Sequence, residues 1–155
     1  LFVKEAVKEK GLSNQIEVKI ENVADPLPYP DQTFDMVYAR LVLHYLSKEH
    51  LDKALQELHR ILRPKGKLFV VVRSKKWSGV KGLPQDPKTG FITYNLEGDS
   101  YSRYFHDLSS ISHHLEEGGF KIIHTKEYEE LLCIDFERER PSKEKDSLIE
   151  VFALK

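Results

Sequence analysis

Residues 57–72 read Glu-Leu-His-Arg-Ile-Leu-Arg-Pro-Lys-Gly-Lys-Leu-Phe-Val-Val-Val. Leu51, Leu55, Leu58 and Leu62 recur at steps of four, three and four, and Ala54 and Ile61 widen that stripe. This is the spacing of a helix with one apolar face. Pro64 and Gly66 end it, the first by lacking a donor and the second by its conformational freedom. The run Lys67 to Val72 then reads as a strand buried on both faces, because it is apolar throughout rather than alternating. A helix that hands over so quickly to such a strand is the second half of a strand–helix–strand unit.

Upstream, Ser47 is placed to cap the helix, with Glu49 in its first turn. Before it, Phe34 to Ala39 forms a second apolar run, suited to the neighbouring parallel strand. Pro26, Pro28 and Pro30 impose an extended loop ahead of that run. Ile16, Val18 and Ile20 alternate with charged residues and predict another strand. Residues 2–10 have amphipathic helix spacing, and Gly11 ends the segment.

Downstream, residues 74–106 are broken by Gly79, Gly82, Pro84, Pro87, Gly90 and Gly98 and carry scattered aromatics. They are read as a long irregular insert that caps a substrate pocket. Asp107 caps a helix over residues 107–117, with Leu108, Ile111 and Leu115 inward, and Gly118-Gly119 ends it. Residues 120–127 and 147–154 predict two final strands, joined through the charged segment 137–146, which reads as a solvated connection. The fold expected is α/β: a Rossmann-like, mostly parallel sheet with a carboxy-terminal antiparallel hairpin, in one domain covering 1–155.

With 155 residues, 40% of them apolar, a single packed core is feasible. A formal charge of -1 gives no electrostatic ground for nucleic-acid binding. No apolar run approaches the roughly 20 residues of a membrane span. Cys133 is the only cysteine, so no disulfide forms within the chain and a reducing cytoplasm is the simplest setting. The chain starts at Leu1 rather than methionine and is read as a fragment, incomplete at its amino end.

Several segments resemble class I S-adenosylmethionine-dependent methyltransferases of the type 11 kind. Asn22-Val23-Ala24-Asp25-Pro26-Leu27-Pro28-Tyr29-Pro30-Asp31, with Thr33-Phe34-Asp35, is similar to the stretch joining the family's third and fourth strands. Ala39-Arg40-Leu41-Val42-Leu43-His44-Tyr45-Leu46 is similar to the segment leaving the fourth strand. Glu57 to Leu68 resembles the turn into the fifth, and His113 to Phe120 the turn before the sixth. The resemblance implies a sheet whose last strand runs antiparallel and inserts between the two before it.

The family's glycine-rich turn and its ribose-binding acidic residue have no counterpart in these 155 residues. Such a strand–helix–strand unit takes about 30 residues or more.

By the same resemblance, Asn22 and the backbone of Val23 would meet the adenine of S-adenosylmethionine. Ala39, Arg40 and Leu41 would line its methionine end. Asn22 stands where many relatives have Asp; its carbonyl oxygen still accepts a hydrogen bond. His44 is the candidate to orient or deprotonate an acceptor, against a packed boundary histidine. Trp77, Tyr104 and His106 are candidates for the acceptor pocket, against ordinary packing. Tyr94 and Tyr101 would join Trp77 in a lid. His113-His114 fits no zinc pattern and is read as a helical surface pair, and Glu57 with Arg60 as a surface ion pair.

The activity expected is methyl transfer to a small-molecule acceptor. The alternative is a non-catalytic module without cofactor binding, acting through protein contacts, with exposed sheet edges favouring self-association. The turns marked by proline and glycine, with Asn22, Ala39 and Gly66, are expected together at the carboxyl rim of the sheet.

Overall fold

The computed structural model describes residues 2–96, 98–133 and 141–155. Its elements run α1 (Phe2–Glu9), β1 (Phe34–Arg40), α2 (Lys48–Ile61), β2 (Leu62–Arg73), β3 (Phe91–Leu96), β4 (Asp99–Tyr104), α3 (Leu108–Glu117), β5 (Lys121–Cys133) and β6 (Pro141–Leu154). β1 and β2 pair in parallel, from Phe34 opposite Leu62 to Arg40 opposite Val71. β6 runs antiparallel between β2 and β5, so the main sheet has the order β1-β2-β6-β5. The α/β architecture and the antiparallel terminal hairpin agree with the reading of the sequence.

The leucine stripe of α2 lies where its periodicity puts it. Leu51, Ala54, Leu55, Leu58 and Ile61 are buried on the sheet against Leu68, Val70 and Val72. Ile111 and Leu115 of α3 join the same core. Both predicted caps form: the Ser47 hydroxyl accepts from the His50 N–H, and the Asp107 carboxylate accepts from the Ser110 N–H at 2.8 Å. A Cβ at Gly66 would come within 2.7 Å of the Arg63 carbonyl oxygen, so the turn into β2 tolerates no side chain there.

Four expectations need correction. Residues 16–20 form no strand, and Ile20 is 92% exposed. Alternation makes a strand only when a neighbouring strand takes up its backbone groups, and none is present among the described residues.

The insert 74–106 is irregular only in its first half. Its second half is the hairpin β3–β4, in register from Phe91–Tyr104 to Leu96–Asp99. Trp77, Val80, Ile92, Tyr94 and Phe105 form a small core of their own beneath it.

Residues 141–146, read as solvated connection, belong to β6. The hairpin therefore continues past the last β2–β6 pair, Arg73–Leu148, as far as Cys133–Pro141. Residues 137–140 of that connection lie outside the described residues.

Gly66 does not share a rim with Ala39. A turn from a helix into a strand enters at the strand's amino end, and Lys67 pairs with Met36 there, whereas Ala39 pairs with Val70 toward the carboxyl end.

Candidate functional site

The carboxyl end of β1 is shaped by an abrupt turn. Ala39 is buried, and Leu41 is held at φ 55, in the left-handed region that side chains rarely adopt. Its N–H still donates to the Val71 carbonyl at 2.8 Å, the last bond of the β1–β2 ladder, and the positive φ then turns the chain out of the strand. Leu43 to Tyr45 then make one turn of 3-10 helix packed on β4. Holding a leucine in that conformation costs of order 1–3 kcal/mol, and such residues concentrate at functional sites.

His44 lies in this turn with 1% of its surface exposed, and its Nδ1 has no partner among the described residues. Burial, followed by the nearby Arg73 and Arg103 guanidiniums, pushes its pKa down to about 3. His44 is therefore a neutral imidazole at physiological pH. His106 is equally buried; its Nδ1 meets the Ser110 hydroxyl at 3.2 Å while Nε2 is unpartnered. Burial, and then His114, holds it at about 3 as well.

The extended hairpin ties onto this rim. Arg40 meets Glu130 of β5 at 2.6 Å, although β2 and β6 lie between their strands. Arg73 pairs with Asp146, and Glu127 takes both the Ser74 hydroxyl and Lys76. None of these links was anticipated from the sequence. They follow from how far the hairpin runs, which local composition does not encode.

Tyr104 donates or accepts at 2.8 Å with His114 Nε2, and His114 Nδ1 lies 2.6 Å from Asp52. Read as half of a surface pair, His114 is instead buried between α2 and α3, while His113 is exposed. A cleft of about 250 Å³ opens beside it, lined by Lys48, Asp52, Gln56, His113, Glu117 and Gly118. Trp77 is 6% exposed, stacked at 5.9 Å on Phe105 and edge-on at 5.2 Å to Tyr94. Tyr104 and His106 stack on each other, their ring centres 4.1 Å apart. The candidate pocket residues thus lie inside packed clusters, with His44 toward β1 and Trp77 in the separate small core.

The Arg60–Glu57 pair is more than a surface contact. Arg60 also donates to the carbonyls of Tyr29 and Leu27 and to Asp31, while Glu57 accepts from the Leu27 N–H at 2.9 Å. Together they clamp the proline loop onto α2. No group of three or more histidine, cysteine, aspartate or glutamate side chains suited to a metal occurs among the described residues.

Of the residues that the sequence resemblance assigns to an adenosyl group, only one set is arranged to receive a ligand. The turn at Ala39 to Leu41, expected at the methionine end, is formed. Asn22 is exposed, and both its polar atoms serve its own loop: the amide donates to Asp25 at 2.8 Å and the oxygen accepts from the Ala24 N–H at 3.2 Å. The adenine end is not furnished by these residues as they stand.

Comparison with known proteins points the same way. Residues 2–70 match a family model described as a methyltransferase domain. A ubiquinone/menaquinone biosynthesis C-methyltransferase from Laribacter hongkongensis is 43% identical over 58 residues, 37% of this chain and 23% of that protein. A mitochondrial arginine-hydroxylase from Rattus norvegicus is 40% identical over 65 residues, 39% of this chain and 18% of that protein. The chain thus spans about a quarter or less of these relatives' lengths. Among solved structures, a SAM-dependent methyltransferase from Methanosarcina mazei superposes with a TM-score of 0.77, at 17% identity, over 98% of this chain and 74% of that one. That last likeness is one of fold. No helix among the described residues is long and apolar enough to cross a membrane. Over residues 2–70 the chain is thus similar to a methyltransferase domain, and its fold is like that of the solved S-adenosylmethionine-dependent methyltransferase.

Proposed function

We propose that this chain forms the acceptor side of a methyltransferase that uses S-adenosylmethionine on a small molecule. The observation that carries the reading is the strained turn at Leu41, which ends β1 beside the neutral, unpartnered His44. The cofactor, when bound, supplies an electrophilic methyl group on a sulfonium. What the chain contributes is placement and the exclusion of water. The backbone at Ala39, Arg40 and Leu41 would wall the methionine end. Asn22 and Val23 would reach the adenine only after Asn22 releases Asp25. His44, neutral and buried, would orient an acceptor by a hydrogen bond at Nδ1. Trp77, Tyr104 and His106, with the insert 74–106 as a capping unit, would support the acceptor pocket from behind.

Calorimetric titration of the 155-residue chain with S-adenosylhomocysteine tests the reading. With one wall of the site furnished, saturable binding in the millimolar range is expected, about −4 kcal/mol. No heat of binding at millimolar ligand sinks it.

A second reading rests on the outer edge of β1, which has no partner among the described residues, with Met36 and Tyr38 exposed along that strand. Such an edge favours self-association over catalysis. Light scattering that returns a monomer across a wide concentration range rules this second reading out.

A further inference from the structure

Arg103 of β4 stands apart from the other described arginines. Arg40, Arg60, Arg63 and Arg73 each face a carboxylate. Arg103 faces no acidic side chain among the described residues; its guanidinium lies 4.1 Å over the Tyr45 ring and 5.6 Å from that of Tyr101, and Nη1 donates to its neighbour's carbonyl, Ser102 O. It is half-buried, and Tyr45 is 55% exposed. β4 packs on the 3-10 turn Leu43 to Tyr45, so this guanidinium sits beside the carboxyl end of β1 and next to His44.

A half-buried guanidinium without a counter-ion is costly unless something supplies the charge. Two tyrosine faces hold it by cation–π attraction, and apart from the Nη1 bond to Ser102 O its planar fork has no acceptor among the described residues. That fork matches a carboxylate or a phosphate in geometry and sign. We propose that Arg103, braced by Tyr45 and Tyr101, recognises an oxyanion, a carboxylate or a phosphate monoester, carried by the acceptor molecule. The proposal rests on the methyltransferase reading for the word acceptor, but the site itself stands on this chain's residues. The neighbourhood agrees with it. Burial first, and then the charges of Arg73 and Arg103, hold His44 in its neutral form, and an anion lodged at Arg103 would offset one of those charges.

The test uses the intact chain and three probes: benzoate, phenyl phosphate and the neutral isostere benzamide. Binding is followed by the NMR signals of the tyrosine rings and of the His44 ring. Benzoate or phenyl phosphate should bind saturably and shift Tyr45 and Tyr101, with benzamide weaker by about tenfold or more. The tighter of the two anions names the source. R103Q should lose the preference for the anion, R103K should keep part of it, and the His44 titration should move upward with the anion bound.

Binding of both anions no tighter than that of benzamide overturns the proposal, as does an undiminished anion preference in R103Q or no binding of either anion. If R103Q fails to fold, the benzoate–benzamide comparison on the unaltered chain and the R103K variant still decide. Titration with S-adenosylhomocysteine in parallel separates the two readings. An Arg103-dependent anion site without nucleoside binding leaves this site standing and removes the methyltransferase reading. Nucleoside binding without anion preference does the reverse.

Discussion

Tyr104 on β4 and His114 on α3 meet at 2.8 Å, hydroxyl to Nε2, inside the core, and the far side of the same imidazole reaches Asp52 of α2 at 2.6 Å. Three elements are thus joined through one buried ring. Removing one partner of a buried hydrogen bond leaves the other desolvated and unsatisfied, at about 1–3 kcal/mol. Tyr104→Phe should therefore lower the unfolding free energy by that amount, read as a lower urea midpoint with little change in slope. His114→Phe, which removes the ring that both partners bind, should cost at least as much. If Tyr104→Phe melts like the unaltered chain, the bond contributes nothing.

Acid should destabilise this protein earlier than carboxylate titration alone would bring about. His44 and His106 titrate near 3 in the folded chain and near 6.5 when unfolded. Between those values the unfolded state binds more protons, so stability rises with pH. The full benefit is present above about 6.5 and drains away below it, by up to ~1.4 kcal/mol per pH unit for each ring. The carboxylates held below their ordinary range, Glu57 by Arg60 and Asp107 by the Ser110 N–H, act only at more acid pH. Urea melts at pH 7, 6 and 5 should fall steadily, and His44→Phe with His106→Phe should flatten that fall. A flat profile in the unaltered chain contradicts the burial of both rings.

The clamp between Arg60 and Glu57 should matter to the proline loop more than to α2. Arg60→Met removes donors to Tyr29, Leu27, Asp31 and Glu57 together. Hydrogen bonds to charged groups are stronger than neutral ones, but solvent screens this part-exposed cluster, so only a modest loss of stability is expected. Hydrogen exchange should accelerate at the Leu27 and Gln32 amides while the core of α2 stays protected. Uniform acceleration along α2 would show that the arginine supports the helix instead.

Gly90 carries φ 79, and a Cβ there would lie 2.8 Å from the Tyr104 ring. Gly90→Ala meets both a conformational penalty and a clash, so a loss of 2 kcal/mol or more is expected, roughly the sum of a left-handed residue and an overpacked site. Near-ultraviolet circular dichroism should change as Tyr104 shifts. An alanine variant with unaltered spectrum and melting point would mean the hairpin yields freely.

The parts legible in the sequence are those set by local periodicity and capping. The stripe from Leu51 to Leu62, the caps at Ser47 and Asp107 and the strand after Gly66 follow from spacing and side-chain chemistry within a few residues. The motif around Ala39 to Leu46 carries the family likeness in the same local way. Ile16 to Ile20 shows the limit: its alternation is that of a strand, yet no neighbouring strand pairs with it among the described residues, and Ile16 and Ile20 stay exposed.

The site was legible only as a list of residue types. Nothing in the spacing of His113 and His114 says that one ring is solvated and the other buried on Tyr104 and Asp52, because burial depends on where α2 docks against α3. Arg40 and Glu130 are ninety residues apart and meet only because the β5–β6 hairpin outruns β2. So the sequence by itself determined α2 and α3 with their caps, the strands β1 and β2 and the family likeness, all written in short-range pattern. The tertiary structure alone decided which histidines lose their charge, which arginine faces no carboxylate among the described residues and how the insert and the terminal hairpin pair. Those properties belong to contacts between distant segments, and desolvation there exists only once the chain is packed.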